Sequence, residues 1–383
     1  MTLNELNEIM ARGEDSRYKF KSNFTNVNDV AAELVAFSNS EGGVIIIGVD
    51  DKTLQVSGLA IDDIHRLNNL IANAASQSVK PAINPFSENI MHPNGLVIVV
   101  SVPRGINKPY MDNSGVFWVK SVGNKQKVTS REEIQRMFQS SGLIHGDETL
   151  VPSMTPEHID QSVFSVFFKK EFEEELSEQQ SGLDAILENM NLSRNGMLNI
   201  AGALLFAKEA HYHLPQFIVK AVSYPNNDID VENYIDSRDI TGSLAEIFKH
   251  TIAFLMMNTR HEQAGQSVNS LGVPVVPKIV FEEIIANALI HRDYFITAPI
   301  RIFMFSNRTE IISPGHLPNN LTINNIKSGN SNIRNPILAS FATKLLPYRG
   351  LGNGIRRAIK AYPHIDFIDD RENNMFKVII KNE

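Results

Sequence analysis

The spacing of apolar residues changes character several times along the chain, and each change marks an element. Leu3, Leu6 and Met10 recur at helical spacing until Gly13 breaks the run, after which Tyr18 to Lys21 reads as a short strand. From Asn28 to Ser40, Val30, Leu34 and Phe37 share one helical face. Glu41-Gly42-Gly43 stops that helix and leads into a continuous apolar strand, Val44 to Asp50. A further helix is predicted over Asp62 to Ala75. Strands Leu96 to Val102 and Val116 to Ser121 then flank a loop holding Pro103, Gly105 and Pro109. A closing helix runs from Thr129 to Gln139, with Thr129 as N-cap and Glu132 at the third helical position. Residues 1–143 therefore predict an α+β unit.

His145 to Pro156 has the proline and glycine content of a linker, and residues 155–271 read as a mixed α/β connecting region. Within it Thr155 to Glu178 is helical and acid-rich, Leu183 to Met190 adds a helix, and Leu198 to Lys208 and Gln216 to Ser223 are apolar segments. The Phe-rich stretch Phe164 to Phe172 and Met256-Met257 fit core packing, and His211 and His213 lack a third partner for a metal site. From Val276 the pattern sharpens. A helix runs from Lys278 to about Asp293, strands cover Ile300 to Phe305 and Thr309 to Ser313, and a Gly/Asn/Pro-rich loop covers Pro314 to Asn332. A helix near Pro336 to Lys344, a glycine loop opening a helix to Tyr362, and strands His364 to Asp369 and Met375 to Ile380 complete a second α+β layer over residues 272–383.

At 383 residues the chain exceeds the size at which one core stops growing, so several domains are expected. A hydrophobic fraction of 43% and a charged fraction of 21% exclude global disorder. No apolar run approaches the roughly 20 residues of a membrane-spanning helix. The polar start, with Glu5 and Glu8, does not read as a signal peptide, and with no cysteine a reducing cytosol is the expected compartment. The net charge of -7 argues against phosphate-rich partners until its distribution is considered. Ser101 to Arg136 holds seven basic residues against three acids, a local net of +4, whereas Asp160 to Glu188 holds eight acids against Lys169 and Lys170.

Two constellations carry chemistry. The first comprises Gly13-Glu14-Asp15-Ser16-Arg17-Tyr18-Lys19-Phe20-Lys21, Ala36 to Gly43, Ile46 to Asp51, and Gly58-Leu59. Over roughly Glu5 to Phe138 it resembles the Schlafen AlbA-type domain, a DNA-binding fold. In Schlafen-type nucleases two acids five apart and a later Asp hold a divalent ion, and the resemblance places Glu14 and Asp50 or Asp51 at the first and third of these positions. Lys19 takes the second, and its ammonium offers only donors. Arg17, Lys19 and Lys21 suit phosphate contacts instead. Lys19 and Lys21 share a strand face at period two, and Lys120, Lys125 and Lys127 extend the patch if the sheet brings them alongside. Trp118, the single tryptophan, fits a core position.

The second constellation is Glu282 to Tyr294, in which Glu283, Asn287 and His291 stand four apart on one helical face. With Ser313-Pro314-Gly315-His316-Leu317-Pro318, Arg334-Asn335-Pro336 and Arg349-Gly350-Leu351-Gly352-Asn353-Gly354-Ile355, it resembles the N-box and following motifs of GHKL-type ATPases, the gyrase and histidine-kinase class. The resemblance covers about Pro277 to Lys381 and implies a GHKL-like α/β sandwich that binds ATP and Mg²⁺. It implies that Asn287 ligates the Mg²⁺, that Glu283 activates the attacking water, and that His291, Gly315, Gly350, Gly352 and Gly354 line the nucleotide site. The glycines would let backbone N–H groups approach phosphate at a helix start. Ser313 stands where that class carries the Asp that reads adenine.

The order of modules resembles predicted transcriptional regulators and ATP-binding Schlafen-group proteins. The leading expectation is a cytosolic regulator that binds nucleic acid, DNA in the first place, as a homo-oligomer, with nucleotide binding and at most slow ATP hydrolysis at the C-terminal domain. A metal-dependent endonuclease of RNA or DNA acting in phage defence is the alternative, using Glu14 and Asp50 with Glu33 or Asp51. An interaction scaffold with both sites degenerate is a third.

Overall fold

The computed structural model describes residues 1–383 except 231, 266, 268, 270, 271, 319, 320 and 383, and the side chain of residue 140. The expected break at 271/272 and the middle of the loop from Pro314 to Asn332 fall on residues outside those described. The chain divides into two compact units, Met1–Leu143 and Ile144–Glu383.

In the first unit α1 (Leu3–Arg12) begins with a capping box between Thr2 and Glu5. Strand β1 (Tyr18–Lys21) lies parallel to β2 (Gly43–Ile47), the two joined by α2 (Val27–Asn39). After α3 (Ile61–Asn73), the hairpin β3 (Phe86–His92) and β4 (Gly95–Val102) completes a four-stranded sheet in the order β1-β2-β4-β3. Successive residues of β2 and β4 serve opposite faces, as strand geometry requires. Ile45, Ile47, Ile98 and Val100 pack with α2 and α3, and Ile46, Val97 and Val99 pack with Leu6 of α1. A second hairpin, β5 (Trp118–Ser121) and β6 (Asn124–Lys127), precedes α4 (Arg131–Ser140). The cap of α4 is Ser130, whose hydroxyl accepts from Glu133 N, one residue later than the expected Thr129. The hydroxyl-then-glutamate pattern occurs twice in adjacent registers here, and spacing alone does not choose between them.

The second unit starts earlier than expected. His145 to Pro156 is docked structure: Asp147 is fully buried, and its Oδ2 accepts from Leu338 N. Helices α5 (Gln161–Phe172), α6 (Leu183–Asn189) and α7 (Ile200–Phe206) follow, so the stretch from Thr155 to Glu178 is α-helical only over its middle. Strands β7 (Val219–Ser223) and β8 (Asp236–Ile240) come next, then α8 (Leu244–Asn258) and α9 (Lys278–His291). Strands β9 (Ile300–Met304) and β10 (Arg308–Pro314), helices α10 (Ile323–Lys327), α11 (Pro336–Leu345) and α12 (Gly354–Ala361), and the hairpin β11 (Ile365–Asp370) and β12 (Met375–Lys381) end the chain.

The six-stranded sheet runs β8-β7-β9-β10-β12-β11, and β7 pairs parallel with β9. Strands on both sides of residue 271 thus share one sheet, and the apolar residues of 155–271 belong to the same core as those of α9 and β9 to β12. The break expected at 271/272 does not separate compact units, because β7 and α8 supply part of the layer that α9 needs to bury its apolar side.

Candidate functional site

The basic residues of the first unit do not form an open patch. Lys19 is 6% exposed, and its Nζ donates to Glu14 Oε2 at 2.7 Å while Glu14 Oε1 accepts from Phe20 N at 2.8 Å. Across the β5–β6 hairpin Lys120 stands opposite Lys125, a like-charge juxtaposition that would destabilise it without a counter-ion. Glu33 of α2 supplies one, 3.7 Å from each ammonium, and Asp29 lies 3.5 Å from Lys125. Lys120 Nζ also sits 4.5 Å above the Phe37 ring, and burial lowers its pKa against the opposing pull of Glu33. Lys21 is 3.9 Å from Asp51. Of the six expected phosphate contacts, Arg17 and Lys127 are exposed, Lys21 and Lys125 partly so, and Lys19 and Lys120 are buried in ion pairs. Trp118 packs against the α2 side of the core and donates to Asp112 Oδ2.

The same contacts bear on the carboxylates. Glu14 is committed to Lys19 and a backbone amide. Asp50 Oδ1 accepts from Lys52 N, Thr53 N and Thr53 Oγ1, which closes a turn, and the Thr53 amide bond leads the causes that lower its pKa. Neither donor set fits a divalent ion, and the described residues contain no group of three acid or histidine side chains that could hold one.

The second constellation behaves differently. Glu283, Asn287 and His291 of α9 line one cavity of about 100 Å³ together with Ser313, Gly315, Gly350, Gly352 and Gly354. The floor is apolar, from Ile311, Phe367, Phe376 and Val378 of the sheet. The far end of α9 is fixed by buried polar groups. Asn335 Nδ2 donates to Ile290 O and Arg292 O, each at 2.8 Å. Arg334 donates to His291 O and His316 O, and Arg292 is held between the Phe217 and Tyr294 rings while donating to Ile296 O and Ala298 O. The Arg-Asn-Pro motif is thus a clamp on the last turn of α9, where carbonyls lack helical partners. Gly315, at φ +97°, leaves the space this clamp needs, since a Cβ there would lie 2.5 Å from Arg334 Nη1.

Burial and the nearby Arg334 charge push His291 down to about 4, so it is neutral at physiological pH, with Nε2 3.3 Å from the Tyr348 hydroxyl. Ser313 Oγ donates to Ala288 O at 3.3 Å. Asn287 Nδ2 donates to Glu283 O at 2.6 Å, which leaves its side-chain oxygen for a cation. Glu283 is 3% exposed, and Oε1 accepts from Arg357 Nε at 2.6 Å. Arg357 is the cavity residue that sequence reasoning missed. Its signal was a pair of arginines, Arg356-Arg357, in the first turn of a helix, where acids are the usual residents.

Residues 14–129 match the family described as "Schlafen, AlbA_2", and residues 297–379 match the family described as "Putative ATP-dependent DNA helicase recG C-terminal". The chain therefore carries a Schlafen AlbA_2 domain at its N-terminal side and a RecG C-terminal-type, ATPase-like domain at its C-terminal side, in an α+β architecture. Together the two families point to a nucleic-acid-related, ATP-binding function. Among solved structures, the DIP2311 protein of Corynebacterium diphtheriae is similar at 19% identity and a TM-score of 0.48, over 99% of this chain and 80% of that one. The N-terminal domain of a "Putative ATP-dependent DNA Helicase RecG-related Protein" from Nitrosomonas europaea is similar at 21% identity and a TM-score of 0.24, over 33% of this chain and 94% of that one. No curated protein matches the chain. No helix among the described residues is long and apolar enough to cross a membrane.

Proposed function

We propose that the protein is a cytosolic nucleic-acid-binding regulator, with DNA as its target, whose second unit binds ATP together with Mg²⁺. The carrying observation is the cavity beside α9, where an asparagine amide, a glutamate and the unpartnered amides at the start of α12 meet over an apolar floor. Asn287 would hold Mg²⁺ through its free oxygen, and the bound ion supplies neutralisation of phosphate charge. The first-turn N–H groups of α12 would take phosphate oxygens. Ile311, Phe367, Phe376 and Val378 would face the base. Because the Ser313 hydroxyl already donates to Ala288 O, it offers a base only acceptor lone pairs, which suits an exocyclic amine. Glu283 is engaged by Arg357, which favours binding over rapid turnover.

In the first unit Arg17 and Lys127, with the half-exposed Lys21, are the residues that would touch phosphate. Several such modest patches in a homo-oligomer would gain avidity along a polymer. Calorimetry with ATP and Mg²⁺ tests the cavity: Asn287→Ala should weaken Mg²⁺-dependent binding by at least about tenfold with an unchanged circular dichroism spectrum, and unchanged affinity would remove the assignment. Filter binding with double-stranded DNA, single-stranded DNA and tRNA tests the first unit. Intact nucleic acid retained, and released by salt, supports the regulator. Shortened products in Mn²⁺ would replace it with a nuclease, and neither outcome would leave a scaffold.

A further inference from the structure

Arg357 stands in the first turn of α12 and reaches Glu283 Oε1 through both Nε and Nη2, each at 2.6 Å. The start of that helix departs from the usual pattern. Its first turn carries no acid, and Asn353 makes no side-chain cap bond. First-turn N–H groups lack helical acceptors and carry partial positive charge, so they and the Arg357 guanidinium present positive potential at one place. A carboxylate from another helix answers them. A Cβ on Gly354 would lie 2.4 Å from Glu283 Oε2, so that oxygen rests against the first residue of α12. Glu283, with its side chain 4% exposed, stands where an anion bound at this helix start would stand.

We propose that Arg357 is a phosphate-binding residue of this cavity, held by Glu283 until a polyphosphate takes the place of that carboxylate. The inference rests on the nucleotide-binding reading above. One guanidinium cannot bond a carboxylate and a phosphate chain at full strength together, and the two anions repel each other, so they compete. Space imposes the same exchange. With α12 packed on α9 the cavity holds about 100 Å³, well below the roughly 300–1,000 Å³ of small-molecule sites. A nucleotide needs more room than that, and at the wall where α12 meets α9 the room is closed by the Glu283–Arg357 pair. Selectivity would then follow phosphate count, with ATP bound more tightly than ADP and adenosine hardly held.

The test uses the full-length chain and its Glu283→Gln, Arg357→Ala and Arg357→Lys variants. Calorimetry is run with ATP, ADP, adenosine and inorganic tripolyphosphate, and amide hydrogen exchange over residues 354–358 without nucleotide. Glu283→Gln should bind ATP and tripolyphosphate about tenfold more tightly, with adenosine unaffected. Arg357→Ala should lose about tenfold for the same two ligands, and Arg357→Lys should recover part of the loss. Exchange at 354–358 should quicken in Glu283→Gln. ATP binding that Glu283→Gln leaves unchanged, with unchanged exchange, would overturn the latch and leave the nucleotide reading standing. Equal weakening of ATP and adenosine by Arg357→Ala would make the arginine merely structural. Faster exchange in a protein that binds no ATP in any form would sink the nucleotide reading and the phosphate role together.

Discussion

Among the places where carboxylates and basic side chains meet in the described residues, two stand in contrast: one is closed on itself and the other lines a cavity. In the first unit Glu14, Glu33 and Asp29 meet Lys19, Lys120 and Lys125 between a helix, a strand and a hairpin, and the buried members are spent on one another. In the second unit Glu283 meets Arg357 at the wall of a cavity, with the arginine 34% exposed. The difference teaches that a charged motif marks a binding surface only where one partner can exchange its counter-ion for a ligand. Lys120, its side chain 1% exposed, has no route to a ligand, whereas Arg357, at the wall of the cavity, can turn toward one.

The largest effect should come from breaking the closed cluster. Glu33→Ala leaves the buried Lys120 short of its nearest carboxylate, and denaturant unfolding should show a loss of about 3 kcal/mol or more. A loss under 1 kcal/mol would mean that the cluster is as exchangeable as the cavity pair.

A second prediction concerns pH, and it sharpens the picture of the second unit. Burial raises Asp147 to about 6, so its protonated form is favoured on folding and stability is lost as pH rises from near 4 through 6. His291, held down at about 4, works in reverse: stability grows as pH rises from 4 to about 6.5. The two slopes oppose each other between pH 4 and 6. Asp147→Asn should remove one of them, so that its stability relative to the parent rises by about 3 kcal/mol across that window. A constant difference between the two proteins from pH 4 to 6 would refute it.

Smaller effects should follow at the open pair and the open cations. Arg357→Ala made together with Glu283→Gln, so that no buried carboxylate is left unpaired, should cost about 1 kcal/mol or less of fold stability, because the arginine is partly solvated. Lys127→Ala should weaken DNA binding a few-fold on all sequences and lower the salt slope by about one.

The elements that the sequence revealed are those with an unbroken period and a clear stop. Helices α1, α2, α9 and α12 and strands β1 and β10 lie within a residue or two of their predicted ranges, whereas β2 ends at Ile47, three residues before the expected Asp50. Strand β3 went unread because most of Phe86 to His92 is exposed and shows no alternation. Strand β8 is a polar edge, Asp-Ser-Arg-Asp-Ile, that reads as a loop. Helix α8 buries a regular stripe, Leu244, Ile247, Phe248, Thr251, Ile252 and Leu255, whose spacing was open to the same reading. At the site, Glu283, Asn287 and His291 were legible because three turns of one helix bring them into line. Arg357 faces Glu283 from a helix far along the chain, and local spacing says nothing about such a meeting. The lysines misled for a related reason: period two places Lys19 and Lys21 on one side of β1 but does not disclose that Glu14 reaches over the first of them.

The parallel pairing of β7 with β9 has a consequence for how the protein is made and cut. Val219 to Ser223 lie along Ile300 to Met304, so β9 has neighbours on both sides only when the earlier strand is present. A fragment beginning near residue 272 would leave one long side of β9 bare. Ile300, Ile302 and Met304 would then sit on an open sheet margin, the kind of surface that recruits strands from other chains. Such a fragment should collect in inclusion bodies, while one beginning at Ile144 should stay in solution.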